Sequence, residues 1–374
     1  MDFFLADALL TETGFTPGLG LLVEGGRIRA VLPASERPDG ATLHRLEGWL
    51  APGYVEIQVN GCGGVVFSQA PTLETIRRMA GVLLAHGVTG FLPTLITAPT
   101  ETIDAAIASG REAMARLPSV LGLHLEGPHI GPARPGTHDT RLIRPMDASD
   151  LERLLSARDV VRLVTVATES TSPAQIEALA KSGITVALGH TAAGAGEVLA
   201  AHHAGATMLT HLFNAMPPMA GRDPGPVGAA LASPTLHASL INDGVHVDDV
   251  SMLAAIRALG PRLALTSDAT ASIEGGEGVF EFGGYRCRIE NGAVRNDAGA
   301  LAGAAVLLDE VAARTARLTS DPAEAVRMAS ERPARLLGLH SEVGRLAPGL
   351  RADFNLLDPE TLGVRATWTV GERL

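Results

Sequence analysis

The sequence predicts an α/β fold: a (β/α)8 barrel of the TIM type with a small β-sandwich domain built discontinuously from both chain ends. Three observations carry this. Apolar runs near 52–58, 88–95, 119–125, 161–166, 184–189, 206–210, 236–241 and 262–267 read as eight strands, most of them separated by helical segments. Helical crossovers between successive strands imply a right-handed parallel arrangement, and eight is the number that closes a barrel. Several of the runs end on a polar residue followed by a Gly-rich or polar turn, the pattern of a barrel's catalytic mouth.

Taken in order, residues 1–50 read as short strands. Leu19–Val31 holds two apolar runs around Gly25-Gly26, a hairpin signal. Residues 340–374 are similar, with strand-like segments at Asp353–Leu357 and Ala366–Val370. Neither end could hold a core alone, so the two are expected to build one domain, leaving 51–339 for the barrel. Within the barrel, Ser172 can cap a helix with Pro173 at its first position. Asp321-Pro322 opens a later helix in the same way, and Gly338 follows its end. Residues 278–297 break the alternation and read as an inserted β-hairpin over the mouth, turning at Gly283-Gly284. An open doubly wound sheet is the alternative. It lacks support, because Gly61-Cys62-Gly63-Gly64 after strand one has no third glycine and no helix start in the required place.

Composition narrows the function. The chain is 46% hydrophobic but only 3% aromatic, so its core must be mostly Ala, Val, Leu and Ile, as suits buried parallel strands. A net charge of −11 argues against nucleic-acid binding. It also means that an anionic substrate must be held by a local cluster of donors. Cys62 and Cys287 make no disulfide framework, which fits a reducing compartment. The first residues lack the basic and apolar regions of a signal peptide, and no run approaches the ~20 apolar residues of a membrane span. The expectation is a cytoplasmic protein with no membrane partner.

Four polar residues at run ends carry the chemistry: Glu126, His190, His211 and Asp268. Two imidazoles and a carboxylate form an open catalytic set for a metal such as zinc. Singly, each has a plainer reading, since a histidine can bond a loop and Glu126 or Asp268 can cap a turn or helix. Their convergence at one barrel mouth favours the metal. Asp268 then reads as general base on a water and general acid to a leaving amine. Strand one carries Gln58-Val59-Asn60 where a His-x-His pair often sits in metal-dependent hydrolase barrels. Amides are weak metal ligands, so one divalent metal is expected, with any second site at Gln58 and Asn60 absent or weak.

Several motifs together make a wider match. They are Val59–Gly64, His124–Pro128, Gly136-Thr137-His138, Gly189-His190-Thr191, Thr210–Met216, Gly221–Gly225, Asp243–Asp248, Ser267–Thr270 and Leu301-Ala302-Gly303. In order and number these resemble the N-acetylglucosamine-6-phosphate deacetylase family of the amidohydrolase superfamily, over nearly the whole chain. The resemblance implies hydrolysis of the acetamide of N-acetylglucosamine 6-phosphate, giving glucosamine 6-phosphate and acetate. It implies Glu126, His190 and His211 as ligands of a single principal metal, usually zinc, and Asp268 as the catalytic aspartate. For the substrate it implies His138, His246, a phosphate-binding turn at Asn214-Ala215, and Arg222, which reaches in from a neighbouring subunit of a homodimer. Leu301, Ala302 and Gly303 would close over the acetyl group. Two other readings stay open: another amidohydrolase, acting on a different N-acetyl amino sugar phosphate, a cyclic amide or an aminated base, and a non-catalytic protein on a decayed enzyme fold.

Overall fold

Eight parallel strands pair in sequence order in this computed structural model, which describes residues 1–271, 273 and 278–373. They are β1 (Tyr54–Val59), β2 (Val88–Ile96), β3 (Leu123–Glu126), β4 (Val161–Val166), β5 (Thr185–Leu188), β6 (Met208–Leu209), β7 (His237–Leu240) and β8 (Leu263–Leu265). The cylinder closes just past β8. The Asp268 N–H donates to the Gln58 carbonyl at 3.0 Å, and the Asn60 N–H donates to that of Ala269 at 2.8 Å. The segment just past β8 is thus fixed to the residues at the end of β1.

Ala-rich helices cover the strands and share one large apolar core with them. A second cluster joins Ile57, Leu92, Leu163, Ala187 and Met208, from five strands, to Leu337. The expected helix starts are present. Ser172 accepts from the Gln175 N–H and Gln175 Oε1 accepts from the Ser172 N–H at 2.8 Å, a capping box, with Pro173 at the first position. Asp321 accepts from the Glu324 N–H at 3.0 Å. The helix expected from there to Gly338 is two, Pro322–Ala329 and Glu331–Leu336, broken at Ser330. Pro333 lacks an N–H, and its ring would crowd the carbonyl of Ala329, so one continuous helix cannot form.

The insertion is larger than the expected hairpin. β9 (Val279–Phe282) and β10 (Tyr285–Glu290) turn at Gly283-Gly284, and β11 (Ala293–Asn296) and β12 (Leu301–Ala304) extend them to four antiparallel strands. The further turn is Asn291-Gly292, both at positive φ, the pairing that two-residue hairpin loops prefer. The last strand is stitched to the barrel, since the Ala304 N–H donates to the Asp268 carbonyl at 2.9 Å.

Gly61–Cys62 and Val65–Val66 pair in a small two-stranded sheet, and residues from both ends form two larger ones. One has the order Arg27–Pro33, Leu19–Glu24, Asp2–Leu5, Thr42–Arg45. The other runs Glu372–Arg373, Val364–Thr369, Phe354–Leu357, Trp49–Pro52, Ala8–Thr11, Gly14–Thr16. Phe4, Leu21 and Ile28 from the first pack against Leu9, Leu50, Phe354 and Trp368 from the second. The strand Trp49–Pro52 straddles the boundary expected at residue 50 and belongs to this domain by its pairing. Among the described residues no helix is long and apolar enough to cross a membrane.

Candidate active site at the barrel mouth

Glu126 is the last residue of β3, His190 and His211 lie two residues past β5 and β6, and Asp268 lies three past β8. All four side chains are buried, and all four line one cavity of ≈ 400 Å³. Its size is that of a small-molecule site. The backbone pays for this convergence in strain: His190, His211 and Asp268 have φ of 48°, 35° and 52°. Left-handed backbone is uncommon for residues other than glycine and collects at functional sites. It turns each chain sharply off its strand and aims the side chain across the mouth.

The closest group is Glu126, His190 and His211. Glu126 Oε1 lies 3.1 Å from His211 Nε2 and 3.3 Å from His190 Nε2, and the two nitrogens are 3.1 Å apart. His190 Nδ1 sits 2.9 Å from the carbonyl oxygen of Arg134, which can only accept. That contact puts the ring's proton on Nδ1 and leaves Nε2 as a bare lone pair. The His190 lone pair, Glu126 Oε1 and His211 Nε2 therefore face one point. Four-coordinate zinc with bonds of about 2.0–2.1 Å has ligand–ligand edges of about 3.3 Å, so the donor set fits such an ion in both chemistry and spacing. A looser trio, Glu126, His138 and His190, has atoms within 4.8 Å of one another. The tighter set suits an ion better, because His138 has its Nδ1 engaged by Thr97 and its Nε2 4.0 Å from Glu126.

The two carboxylates are pushed in opposite directions. Burial would raise Glu126, but His190 and His211 against its carboxylate outweigh it and hold it well below the ordinary range. Asp268 is pushed up to about 8, first by burial and then by the charge of Glu126. Such a split separates a ligand carboxylate from one that can carry a proton. Strand β1 supplies the amides that orient them: Gln58 Nε2 donates to Glu126 Oε2 at 3.1 Å, and Asn60 Nδ2 to Asp268 Oδ1 at 2.7 Å. Their nitrogens, which cannot ligate a metal, face the carboxylates.

The other expected residues divide. His138 lines the cavity and is fully determined as a donor: the Thr97 N–H donates to its Nδ1 at 3.3 Å, so its proton sits on Nε2. Burial keeps the ring neutral, with a pKa well below the usual value. His246 lines the cavity with Nδ1 2.7 Å from Asp243 Oδ2. Asn214 and Ala215 line it too, but the Asn214 N–H is used by the His211 carbonyl at 2.9 Å, so it is not open to a ligand. The left-handed backbone of Ala215 (φ 53°) makes the turn there. Leu301 and Gly303 face the cavity, whereas Ala302 points the other way, into a cluster with Phe282, Cys287 and Val294, as alternation along a strand requires. Arg222 is outside the cavity. It is exposed, and its side chain makes no hydrogen bond or ion pair with the described residues.

Sequence reading passed over three contributors. Glu56, buried in β1, accepts from the Ser267 N–H at 2.9 Å and from the Thr266 hydroxyl, pinning the segment before Asp268. His124 Nε2 lies 2.8 Å from Thr165 Oγ1, which lies 2.7 Å from Thr210 Oγ1, a buried polar chain beneath the ligands. Arg134 holds His190 through its carbonyl and lines the cavity. Glu56 and His124 stand two residues before Gln58 and Glu126 on the same strands, and that two-residue spacing was the available signal.

Comparison with known proteins agrees with this geometry. Residues 49–373 match the amidohydrolase family. The chain is 36% identical to an N-acetylgalactosamine-6-phosphate deacetylase of a Shewanella species, covering 100% of this chain and 96% of that one. It is 33% identical to an N-acetylglucosamine-6-phosphate deacetylase of Haemophilus influenzae, covering 91% and 90%. The crystal structure of N-acetylglucosamine-6-phosphate deacetylase from Pasteurella multocida superposes with a TM-score of 0.95 at 30% identity, covering 100% of this chain and 99% of that one. With its strand-end carboxylates and histidines in one barrel mouth, the chain belongs to the amidohydrolase family, among the N-acetyl amino sugar 6-phosphate deacetylases.

Proposed function

We propose that the protein hydrolyses the acetamide of N-acetylglucosamine 6-phosphate to glucosamine 6-phosphate and acetate, using one divalent metal, zinc by preference. The observation that carries this is the triangle of Glu126 Oε1, His190 Nε2 and His211 Nε2 with edges of 3.1–3.3 Å, in the cavity that Asp268 also lines. Glu126, His190 and His211 hold the metal. Bound there, it would supply Lewis acidity and lower the pKa of a water toward neutrality.

The protein's own groups do the rest. Asp268 takes a proton from the attacking water and gives it to the departing nitrogen as the C–N bond breaks. Asn60 keeps the carboxylate aimed by its hydrogen bond to Oδ1. His138, with its proton on Nε2, donates to the acetyl oxygen as charge develops there. Leu301 and Gly303 wall the acetyl end, and His246, Ala215 and Asn214 meet the phosphorylated end. Arg222, exposed on its loop, serves a neighbouring subunit of a homodimer.

The test is acetate release from N-acetylglucosamine 6-phosphate with metal analysis of the same sample. Asp268→Asn should keep its metal and lose nearly all turnover; full activity in that variant would exclude the role. A second substrate has support, since the Shewanella relative bears the name of the galactosamine epimer. Comparing the two epimers at equal concentration separates them.

A further inference from the structure

We infer that the side chain of Arg134 is the cation that reads the substrate's phosphate from within the same chain. This rests on the proposed function and adds to it a residue that the family resemblance did not supply. An acidic protein, at net charge −11, must hold a phosphate dianion with local cations. Among the described residues lining the cavity, Arg134 is the only lysine or arginine. It is half-buried, and its guanidinium makes no hydrogen bond or ion pair with the described residues. Most other arginines around the barrel are spoken for, such as Arg144 with Asp150 and Arg141 with Asp139. Arg222 is uncommitted too, but it does not line the cavity.

The backbone of Arg134 is held where such a role needs it. Its carbonyl takes the proton of His190 Nδ1 at 2.9 Å, its N–H donates to the Gly131 carbonyl at 3.0 Å, and the Gly131 N–H donates to the His190 carbonyl at 2.7 Å. The segment is thus laced to a metal ligand at both ends. Four residues on, the same segment delivers His138 to the cavity. One stretch of chain therefore bears the phosphate contact, the support for His190 and the donor to the acetyl oxygen. A planar fork of five donors suits a phosphate's oxygens better than a point charge does.

The experiment measures kcat/KM for N-acetylglucosamine 6-phosphate and for unphosphorylated N-acetylglucosamine, in the zinc-loaded wild type, Arg134→Ala and Arg134→Lys. Alanine keeps the carbonyl that holds His190, so metal content should match the wild type. The preference for the phosphorylated sugar should fall by about tenfold to a hundredfold in Arg134→Ala, through KM more than kcat, as the loss of a charge-assisted hydrogen bond requires. Arg134→Lys should recover part of it. A preference in Arg134→Ala equal to the wild type's, or a loss that follows zinc content alone, overturns the assignment. A wild type that turns over both sugars equally overturns the proposed function beneath it, and that result is visible before any variant is made.

Discussion

Asn60 and Asp268, 208 residues apart in sequence, meet at 2.7 Å through Nδ2 and Oδ1. The contact joins the end of β1 to the end of β8, at the seam where the barrel closes. It leaves one oxygen of Asp268 occupied and the other for the chemistry. Asn60→Ala should therefore lower kcat by about tenfold or more while zinc binding persists, the scale of a hydrogen bond to a charged group. Acetate release and zinc content measured together would check it; equal losses of both would point to a collapsed site.

Gly303 has no room for a side chain. An added Cβ would lie 2.5 Å from Thr270 Cγ2 and 2.6 Å from the Asp268 carbonyl oxygen, and φ is +68°. Gly303→Ala should cost about 1–3 kcal/mol of stability from overpacking alone. It should also displace the backbone of Asp268 and depress turnover. A melting curve and a rate for the purified variant test both effects.

Stability of the metal-free protein should depend on pH in a defined window. Asp268 is raised from 3.8 to about 8 in the fold, so the stability it lends is full below pH 4 and is lost as pH climbs to about 8. His124, lowered by burial from 6.5 to about 4, acts in the opposite sense and gains stability as pH rises through that range. Above about 6.5 the histidine contribution is complete and the Asp268 loss continues. Melting temperature in chelator should fall between pH 6.5 and 8, and Asp268→Asn should flatten that slope.

Metal removal should destabilise the barrel mouth. A ligand at a thousandfold its dissociation constant adds about 4 kcal/mol to the folded state. Chelation should therefore lower the melting temperature, and zinc should restore it. His211→Ala should show neither response; an unaltered zinc response in that variant would remove His211 from the ligand set.

Much of the fold and site could be read in the sequence because each of the four central residues closes an apolar strand and opens a turn. That signal is local. Arg134 gave none, since it stands in a Pro/Gly loop with no periodicity, and the ring its carbonyl holds, His190, is 56 residues away. Glu56 offered only its two-residue spacing from Gln58, because its partners Thr266 and Ser267 are more than 200 residues distant. Ala302 was grouped with its neighbours by motif, but alternation along β12 sends it to the opposite face. The break at Ser330 could have been seen from Pro333, and the third strand of the insertion from Asn291-Gly292.

The terminal sheet sets a schedule for making the protein. Pro52 pairs with Phe354, 354 − 52 = 302 residues later. At a synthesis rate of about 5–20 residues per second, Trp49–Pro52 waits roughly 15–60 seconds for that neighbour. During that interval the nascent chain carries an unpaired apolar edge, next to a barrel whose first strand begins only two residues later. Slowing the ribosome anywhere between codons 52 and 354 lengthens that interval and should cost soluble enzyme, whereas the same delay before codon 49 should not.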